Sequence, residues 1–226
     1  PPDTGVGDVG EIGDELEENF ETAETTRSPL VVDLNGDGVI GTTSVADGVY
    51  FDHENDGFAE KTGWISAEDG VLVRDLNGNG LIDNGTELFG NSTILSNNET
   101  AANGFEALKE LDSNGDGIFS NQDKAWNEVK VWQDANQNGY TDVNELKSLD
   151  SVGITEINLN YKQQQVADEN GNMHNQISTG KKDSSEILIH DVWFERDTID
   201  SQSLQQIIIP DLSLIHISEP TRLRCI

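Results

Sequence analysis

Hydrophobic and polar positions follow a short-strand pattern from Ser28 to about Arg74. The apolar runs in "PLVVDLNGDGVI", "VYFDHENDG", "GWIS" and "GVLVRDL" are separated by acidic turns rich in glycine. Short β-branched and aromatic runs bounded by Gly, Asp and Asn are typical of strands joined by hairpins. This half of the chain is therefore predicted to be rich in strands.

The period changes from Ala102 onward, where apolar residues recur at three- and four-residue steps. Such spacing predicts three short amphipathic helices. Their apolar positions are Phe105, Leu108 and Leu111; Ala125, Trp126 and Val129; and Val143, Leu146 and Leu149.

Beyond Gly153 the alternation of a strand returns. The segment "ITEINLNY" alternates strictly, and "EILIHDVWF" follows it after a polar turn region. Both predict strands of a C-terminal antiparallel meander. The predicted fold class is therefore α+β, with short β-hairpins and this meander around short helices that carry EF-hand-like loops.

One acidic motif, D-x-[DEN]-x-[DN]-G, occurs five times, beginning at residues 33, 52, 75, 112 and 134. Calcium takes about six to eight oxygen ligands, and oxygens at positions 1, 3 and 5 of a tight loop converge on one point. Glycine at position 6 permits the turn, position 7 contributes its carbonyl, position 9 often acts through water, and an acid at position 12 closes the shell. The closing acid distinguishes a calcium site from a simple turn.

The segment "DANQNGYTDVNE" matches the calcium loop at every defined position. Its predicted ligands are Asp134, Asn136, Asn138, the Tyr140 carbonyl, Asp142 and Glu145. The loop at 112 is also complete, with a shorter closing acid and a looser predicted site. Its predicted ligands are Asp112, Asn114, Asp116, the Ile118 carbonyl, Ser120 and Asp123.

The remaining three loops depart from the pattern. In the loop at 75 the closing acid falls at position 13, and a bulge at Gly85 is predicted to absorb the extra residue. Its predicted ligands are Asp75, Asn77, Asn79, the Leu81 carbonyl, Asp83 and Glu87. The last two loops lack an evident closing acid, so they are either half-sites completed by distant residues or simple turns. Their candidate ligands are Asp33, Asn35 and Asp37, and Asp52, Glu54, Asp56 and Glu60.

Charge supports a cation as the partner. The 226 residues include 43 Asp and Glu against 13 Lys and Arg, which gives a formal net charge of −30. Nucleic acid and anionic membrane surfaces are excluded as partners, whereas calcium ions are favoured. No apolar run is long enough for membrane insertion, and the single Cys225 excludes a disulfide framework and a cysteine-based zinc site.

Composition divides the chain into four predicted segments. Residues 1–27 are acidic with few large apolar side chains, which predicts a disordered linker. A calcium-binding module is predicted for 28–200, with a partial continuation over 201–211. The tail 212–226, "LSLIHISEPTRLRCI", resembles a translated sequencing adapter and is predicted to be non-native.

Laid end to end, "SPLVVDLNGDGV", "GWISAEDGVLVRDLNGNGLIDNGTELFG", "ALKELDSNGDGIFS" and "VKVWQDANQNGYTDVNELKSLDSVGITEINLNY" resemble the calcium-dependent self-processing module of iron-regulated RTX proteins. The resemblance covers about Pro29 to Phe194. It implies an exported bacterial protein, extracellular or at the cell surface, that is released by type I secretion and folded by calcium outside the cell. Flanking domains of a larger chain are then expected partners.

Members of that family cleave an Asp-Pro bond at the N-terminal edge of the module, with the Asp carboxylate as nucleophile. The corresponding pair here is Ser28–Pro29, and the chain contains no Asp-Pro bond. A non-enzymatic calcium-binding module without catalytic residues is therefore the first interpretation. A self-processing module acting at another bond and a dockerin-like protein-interaction module, prompted by the 22-residue spacing of the loops at 112 and 134, are the alternatives. The sequence names no protein partner.

Overall fold

The computed structural model describes residues 26–204. The predicted linker, apart from its last two residues, and the predicted adapter-derived tail lie outside this range. Thr26–Arg27, the end of the predicted linker, form a strand that pairs with Phe194 and Glu195.

Strands dominate the part of the chain that the structure describes. They are β1 (Thr26–Arg27), β2 (Leu30–Val32), β3 (Thr42–Thr43), β4 (Val49–Phe51), β5 (Phe58–Thr62), β6 (Trp64–Ile65), β7 (Gly70–Val73), β8 (Ile118–Ser120), β9 (Lys130–Trp132), β10 (Leu146–Ser148), β11 (Ile154–Asn158), β12 (Lys162–Ala167), β13 (Met173–Lys182) and β14 (Ser185–Ser203). One α-helix, α1 (Gly104–Lys109), and the 3₁₀ turns Gly85–Glu87, Trp126–Glu128 and Asp150–Val152 complete the described elements. None of these helices is long and apolar enough to cross a membrane.

One large antiparallel sheet organises the molecule, with the strand order β10-β9-β7-β2-β14-β13-β11-β8. The 19-residue strand β14 is its longest member. Its first half pairs with β13 and β2, and its second half pairs with β1 and β5. This strand therefore joins the C-terminal hairpins to the N-terminal strands that carry the first acidic loops.

The core lies on both faces of this sheet. Leu30 and Val32 of β2 pack into one apolar cluster, whereas Val31 between them packs into the other. Side chains alternate across a strand, so a strand covered on both faces is apolar at every position. This accounts for the continuous apolar run in "LVV".

The predicted α+β class is wrong, because the described chain is mostly β. The first predicted helix corresponds to α1, whose Asn103 side chain accepts a hydrogen bond from the Glu106 backbone N–H as an N-terminal cap. The second is reduced to the 3₁₀ turn Trp126–Glu128. The third is strand β10, which pairs with β9.

The third helix fails because its apolar residues do not share a face. Val143 is 88% exposed, whereas Leu149 is 1% exposed. A short helix costs conformational entropy that only a buried apolar face offsets, and pairing with β9 supplies backbone hydrogen bonds instead. The loop at 134 therefore connects two strands of a hairpin. No α-helix connects the loop at 112 to the loop at 134. The 3₁₀ turn Trp126–Glu128 and strand β9 lie between them instead.

Candidate metal-binding loops

All five acidic loops adopt the same turn around their first aspartate. In each loop this carboxylate accepts the backbone N–H of the glycine at position 6 at 2.8–3.0 Å. That glycine has a positive φ of 74° to 88° in every case, a region that other residues adopt only with strain. The pairs are Asp33 and Gly38, Asp52 and Gly57, Asp75 and Gly80, Asp112 and Gly117, and Asp134 and Gly139.

Glu145, the predicted closing acid of the loop at 134, folds back over this turn. One of its carboxylate oxygens accepts the N–H of Ala135 at 3.0 Å, and the other accepts the N–H of Asp142 at 3.0 Å. These donors occupy loop positions 2 and 9. Glu145 is buried, so its carboxyl group lies inside the loop and away from solvent.

Two further loops close in the same way. Asp123 accepts from Ser113 at 2.8 Å and from Ser120 at 2.9 Å, again positions 2 and 9 of its loop. In the loop at 75, the corresponding donors to the carboxylate oxygens of Glu87 are residues 76 and 83, at 3.0 and 2.8 Å. The predicted closing acids of the three loops thus occupy one structural position.

A 3₁₀ turn, Gly85–Glu87, brings Glu87 to this position although it lies at position 13. A bulge at Gly85 was the sequence-based prediction. Gly85 is needed for a different reason, because a side chain there would lie 2.2 Å from the His53 carbonyl oxygen. The turn and this close backbone approach together absorb the extra residue.

The loop at 33 is completed by a distant acid that the sequence analysis missed. Asp69 accepts the N–H groups of Leu34 at 3.3 Å and Gly41 at 2.7 Å, which are again positions 2 and 9. Its neighbour Glu68 accepts the Asn35 amide at 3.1 Å. Burial raises the pKa of the Asp69 carboxyl. A distant carboxylate thus contacts this loop, and the choice between a half-site and a simple turn stays a sequence-based prediction.

The loop at 52 differs from the other four because arginines pair with its acids. The Arg196 guanidinium lies 2.8 Å from Glu54 and 3.7 Å from Glu60, and Arg27 also pairs with Glu54. Glu54, Asp56 and Glu60 bring carboxylate oxygens within 4.8 Å of one another. Burial alone would raise the pKa of Glu54, but the two arginines lower it below its usual value. In this loop, arginine side chains therefore supply the positive charge that pairs with the acids.

Predicted ligands at positions 3, 5 and 9 converge in the loops at 75 and 134. Both Asn136 and Asn138 donate to one oxygen of Asp142, at 2.8 and 2.9 Å. Asn77 and Asn79 make the same pair of contacts with Asp83, at 3.2 and 2.6 Å.

Position 9 does not take part in this contact in the loops at 33 and 112. There the asparagine at position 3 donates to the aspartate at position 5, Asn35 to Asp37 at 3.0 Å and Asn114 to Asp116 at 2.9 Å. At position 7 the predicted ligand is the backbone carbonyl oxygen. The residues at this position are partly or largely exposed: Leu81, Ile118 and Tyr140.

Asp134 is the most deeply buried first aspartate of the set, at 0% exposure. One of its oxygens accepts both the Trp64 indole N–H and the Gly139 N–H at 2.8 Å. Burial raises the pKa of Asp134 despite these bonds, and the nearby Glu145 charge adds to the increase. A cation at this loop would stabilise both carboxylates.

A pair of histidines also escaped the sequence analysis. His174 and His190 lie on β13 and β14 with their Nδ1 atoms 2.9 Å apart, and Asp168 lies 3.3 Å from the other ring nitrogen of His174. Burial and then the neighbouring His174 lower the pKa of His190 to about 4. The pairing depends on sheet register, which histidine spacing along the sequence does not reveal.

The fold and loops define a class: an antiparallel β module with repeated acidic turn loops, four of them closed by a carboxylate. The SPM domain family model matches residues 30–195, and the chain belongs to this family. It is similar to the iron-regulated protein FrpA of Neisseria meningitidis serogroup C, with 45% identity over 177 residues, 77% of this chain. The chain spans 16% of the length of that relative. The predicted link to iron-regulated RTX proteins is confirmed at the level of the family.

Proposed function

We propose that this chain is a calcium-binding structural module of a larger, secreted bacterial RTX-type protein. The observation that carries this proposal is the shared closing carboxylate. Glu145, Asp123, Glu87 and Asp69 occupy one position relative to their loops, although they come from different distances along the chain. A turn that needed only local stability would not require a buried acid from a distant strand connection.

The donor groups fit calcium. The converging side chains are carboxylates and amides, which present the hard oxygen ligands that calcium prefers, whereas zinc and copper sites favour imidazole and thiolate. The residues proposed to hold the ion come from four loops: Asp134, Asn136, Asn138, Asp142 and Glu145; Asp112, Asn114, Asp116 and Asp123; Asp75, Asn77, Asn79, Asp83 and Glu87; and Asp33, Asn35, Asp37 and Asp69.

Calcium binding is proposed to be coupled to folding. The loop at 33 acquires Asp69 only when the connection between β6 and β7 packs beside it. A site assembled from such separated residues does not exist in an unfolded chain, so its binding energy stabilises the folded state. The net charge of −30 opposes compaction in the absence of bound cations. Secretion before calcium-dependent folding is part of this proposal.

Self-processing is a second candidate, favoured by the ordered environment of Ser28–Pro29. Ser28 is buried, its N–H donates to Asn91 at 3.0 Å, and its hydroxyl accepts the Asn91 N–H at 3.2 Å. The junction is thus held in a fixed geometry. We propose nevertheless that it is not cleaved, because a serine hydroxyl replaces the carboxylate nucleophile.

Native mass spectrometry of the chain with calcium or magnesium tests the calcium proposal. We expect about four retained calcium ions, one for each closed loop, and weaker retention of magnesium, because magnesium demands stricter octahedral geometry. The quadruple variant Glu145→Gln, Asp123→Asn, Glu87→Gln and Asp69→Asn should lose most of this binding. Absence of specific calcium retention by the unsubstituted chain would reject the proposal.

A further inference from the structure

The loops at 75 and 134 contact each other through their eighth positions. The Ile82 N–H donates a hydrogen bond to the Thr141 hydroxyl oxygen at 2.9 Å. The same hydroxyl donates a hydrogen bond to the Ile82 carbonyl oxygen at 3.4 Å. Both residues are at position 8 of their loops. One side chain therefore satisfies both backbone polar groups of a residue in the other loop.

Hydrogen bonds connect this contact to both closing carboxylates. The Ile82 carbonyl and the Asp83 N–H belong to one peptide group, and that N–H donates to Glu87 at 2.8 Å. On the other side, the residue after Thr141 donates its N–H to Glu145 at 3.0 Å. A continuous path of hydrogen bonds and rigid peptide groups thus joins Glu87 to Glu145.

Packing restrains the same path. Ile82 is 3% exposed and belongs to the apolar cluster that contains Trp132. The indole N–H of Trp132 points at Glu145 at 3.4 Å. Because close-packed side chains transmit displacement rather than absorb it, a shift of one loop changes the surroundings of the closing acid in the other.

The loop at 112 offers an internal comparison. Its position 8 is Phe119, which lies in β8 and pairs with Ile157 of β11. Its eighth position therefore contacts the sheet, away from Ile82 and Thr141.

We infer that the loops at 75 and 134 form a coupled pair, in which a cation bound at one raises the affinity of the other beyond the coupling that all loops share through folding. The loop at 112 has only that shared coupling. This inference rests on the proposed calcium binding. Occupancy of one loop fixes its eighth position, and the partner loop then loses less conformational freedom when it binds. Thr141 is the residue that carries the coupling.

The test is a calcium titration followed by NMR, with the amides of Gly80, Gly139 and Gly117 as reporters of the three loops. Asp75→Asn damages the loop at 75. We expect it to raise the calcium midpoint at Gly139 by roughly fivefold or more relative to the midpoint at Gly117, the lower range of typical coupling. Gly117 reports the part of the shift that all loops share through folding. Asp83→Asn removes a second proposed ligand of the same loop and repeats the test independently.

Thr141→Val separates coupling from binding. In this background Asp75→Asn should no longer shift the Gly139 midpoint relative to Gly117, and Thr141→Ser, which keeps the hydroxyl, should restore the shift. Thr155→Val, at an exposed threonine of β11, is the matched control and should preserve the coupling. Equal shifts of the Gly139 and Gly117 midpoints in both Asp75→Asn and Asp83→Asn would overturn the inference while calcium binding stands. No calcium response at any reporter would overturn the proposed function as well.

Discussion

Individual carboxylates decide which loops are complete. The first aspartates make equivalent contacts in all five loops. These aspartates therefore do not distinguish one loop from another. The closing acids at 69, 87, 123 and 145 separate four loops from the one at 52, where Arg196 and Arg27 pair with the acids.

Glu145→Gln should weaken calcium binding by about tenfold or more, equivalent to at least 1.4 kcal/mol. The substitution removes a buried charge from a closed loop, whereas Asp52→Asn alters a loop whose acids already pair with arginine. Isothermal titration calorimetry of both variants measures the comparison. Equal losses of affinity would show that the two loops have been ranked wrongly.

Asp191→Asn should change how stability depends on pH. Asp191 is completely buried, and burial raises its pKa to about 7 although Gly104, Ser28 and Trp193 donate hydrogen bonds to it. Below about pH 4 the Asp191 carboxyl is protonated in both the folded and the unfolded protein. Between about pH 4 and pH 7 it loses its proton in the unfolded protein but keeps it in the folded protein. The free energy of unfolding therefore decreases by up to roughly 4 kcal/mol as the pH rises through this range.

The asparagine variant lacks this titration. Its stability relative to the unsubstituted protein should therefore increase between pH 4.5 and pH 7.5 in urea unfolding, at one fixed calcium concentration. Asp47→Asn, at an exposed turn, is the control. A stability difference that does not vary with pH would contradict the assigned titration.

Calcium should not release a fragment that begins at Pro29. The Ser28 hydroxyl has a high pKa and lacks the carboxylate of the related Asp-Pro junctions, whereas Ser28→Asp supplies that group in an already ordered setting. Intact mass after incubation with calcium compares the two proteins. Cleavage of the unsubstituted chain would contradict the non-enzymatic interpretation, and cleavage only of Ser28→Asp would show that the surrounding structure is retained.

At the scale of elements, local patterns predicted strands better than helices. The runs at Val49–Phe51, Gly70–Val73 and Ile154–Asn158 form strands where the sequence placed them. Three-residue steps over seven residues predicted α1 but failed at Val143, Leu146 and Leu149, since Leu146 pairs in a sheet and Val143 is exposed. Partners set by tertiary packing are absent from a local pattern.

The same reason limited the prediction of the site. Acids within one loop were found from spacing, but Asp69 contacts the loop at 33 from the connection between β6 and β7. Its only sequence signal is the acidic pair in "SAEDG", between two short apolar runs. Likewise, the contact between Ile82 and Thr141 depends on how two distant loops meet.

Asp69→Asn should weaken calcium binding far more at the loop at 33 than at the loop at 112, which is affected only through the shared folding transition. The substitution removes the charge that closes the first loop while the amide oxygen can still accept a hydrogen bond. NMR titration of the Gly38 and Gly117 amides reports the two loops, with Asp47→Asn as the matched control. A normal Gly38 response in Asp69→Asn would show that this loop does not use the distant acid.

At the scale of the molecule, the acidic loops lie at the ends and connections of strands that share one sheet. The loop at 33 follows β2, the loop at 75 follows β7, and the loop at 134 joins β9 to β10. These strands are neighbours in the order β10-β9-β7-β2. Because β7 is antiparallel to both β2 and β9, the loops at 33 and 134 leave one end of these strands and the loop at 75 leaves the other. Cations at these loops would therefore reduce repulsion at both ends of the strands in a chain whose net charge is −30, and stabilise the sheet as a unit.

Thermal unfolding in chelator and in about 1 mM calcium tests the central claim most directly. With a dissociation constant near 10⁻⁴ M, each occupied loop adds about 1.4 kcal/mol to the free energy of unfolding. We predict a poorly folded chain in chelator and a cooperative transition at clearly higher temperature in calcium, with a matching gain of β-sheet circular dichroism. Identical spectra and melting temperatures under the two conditions would contradict calcium-dependent folding.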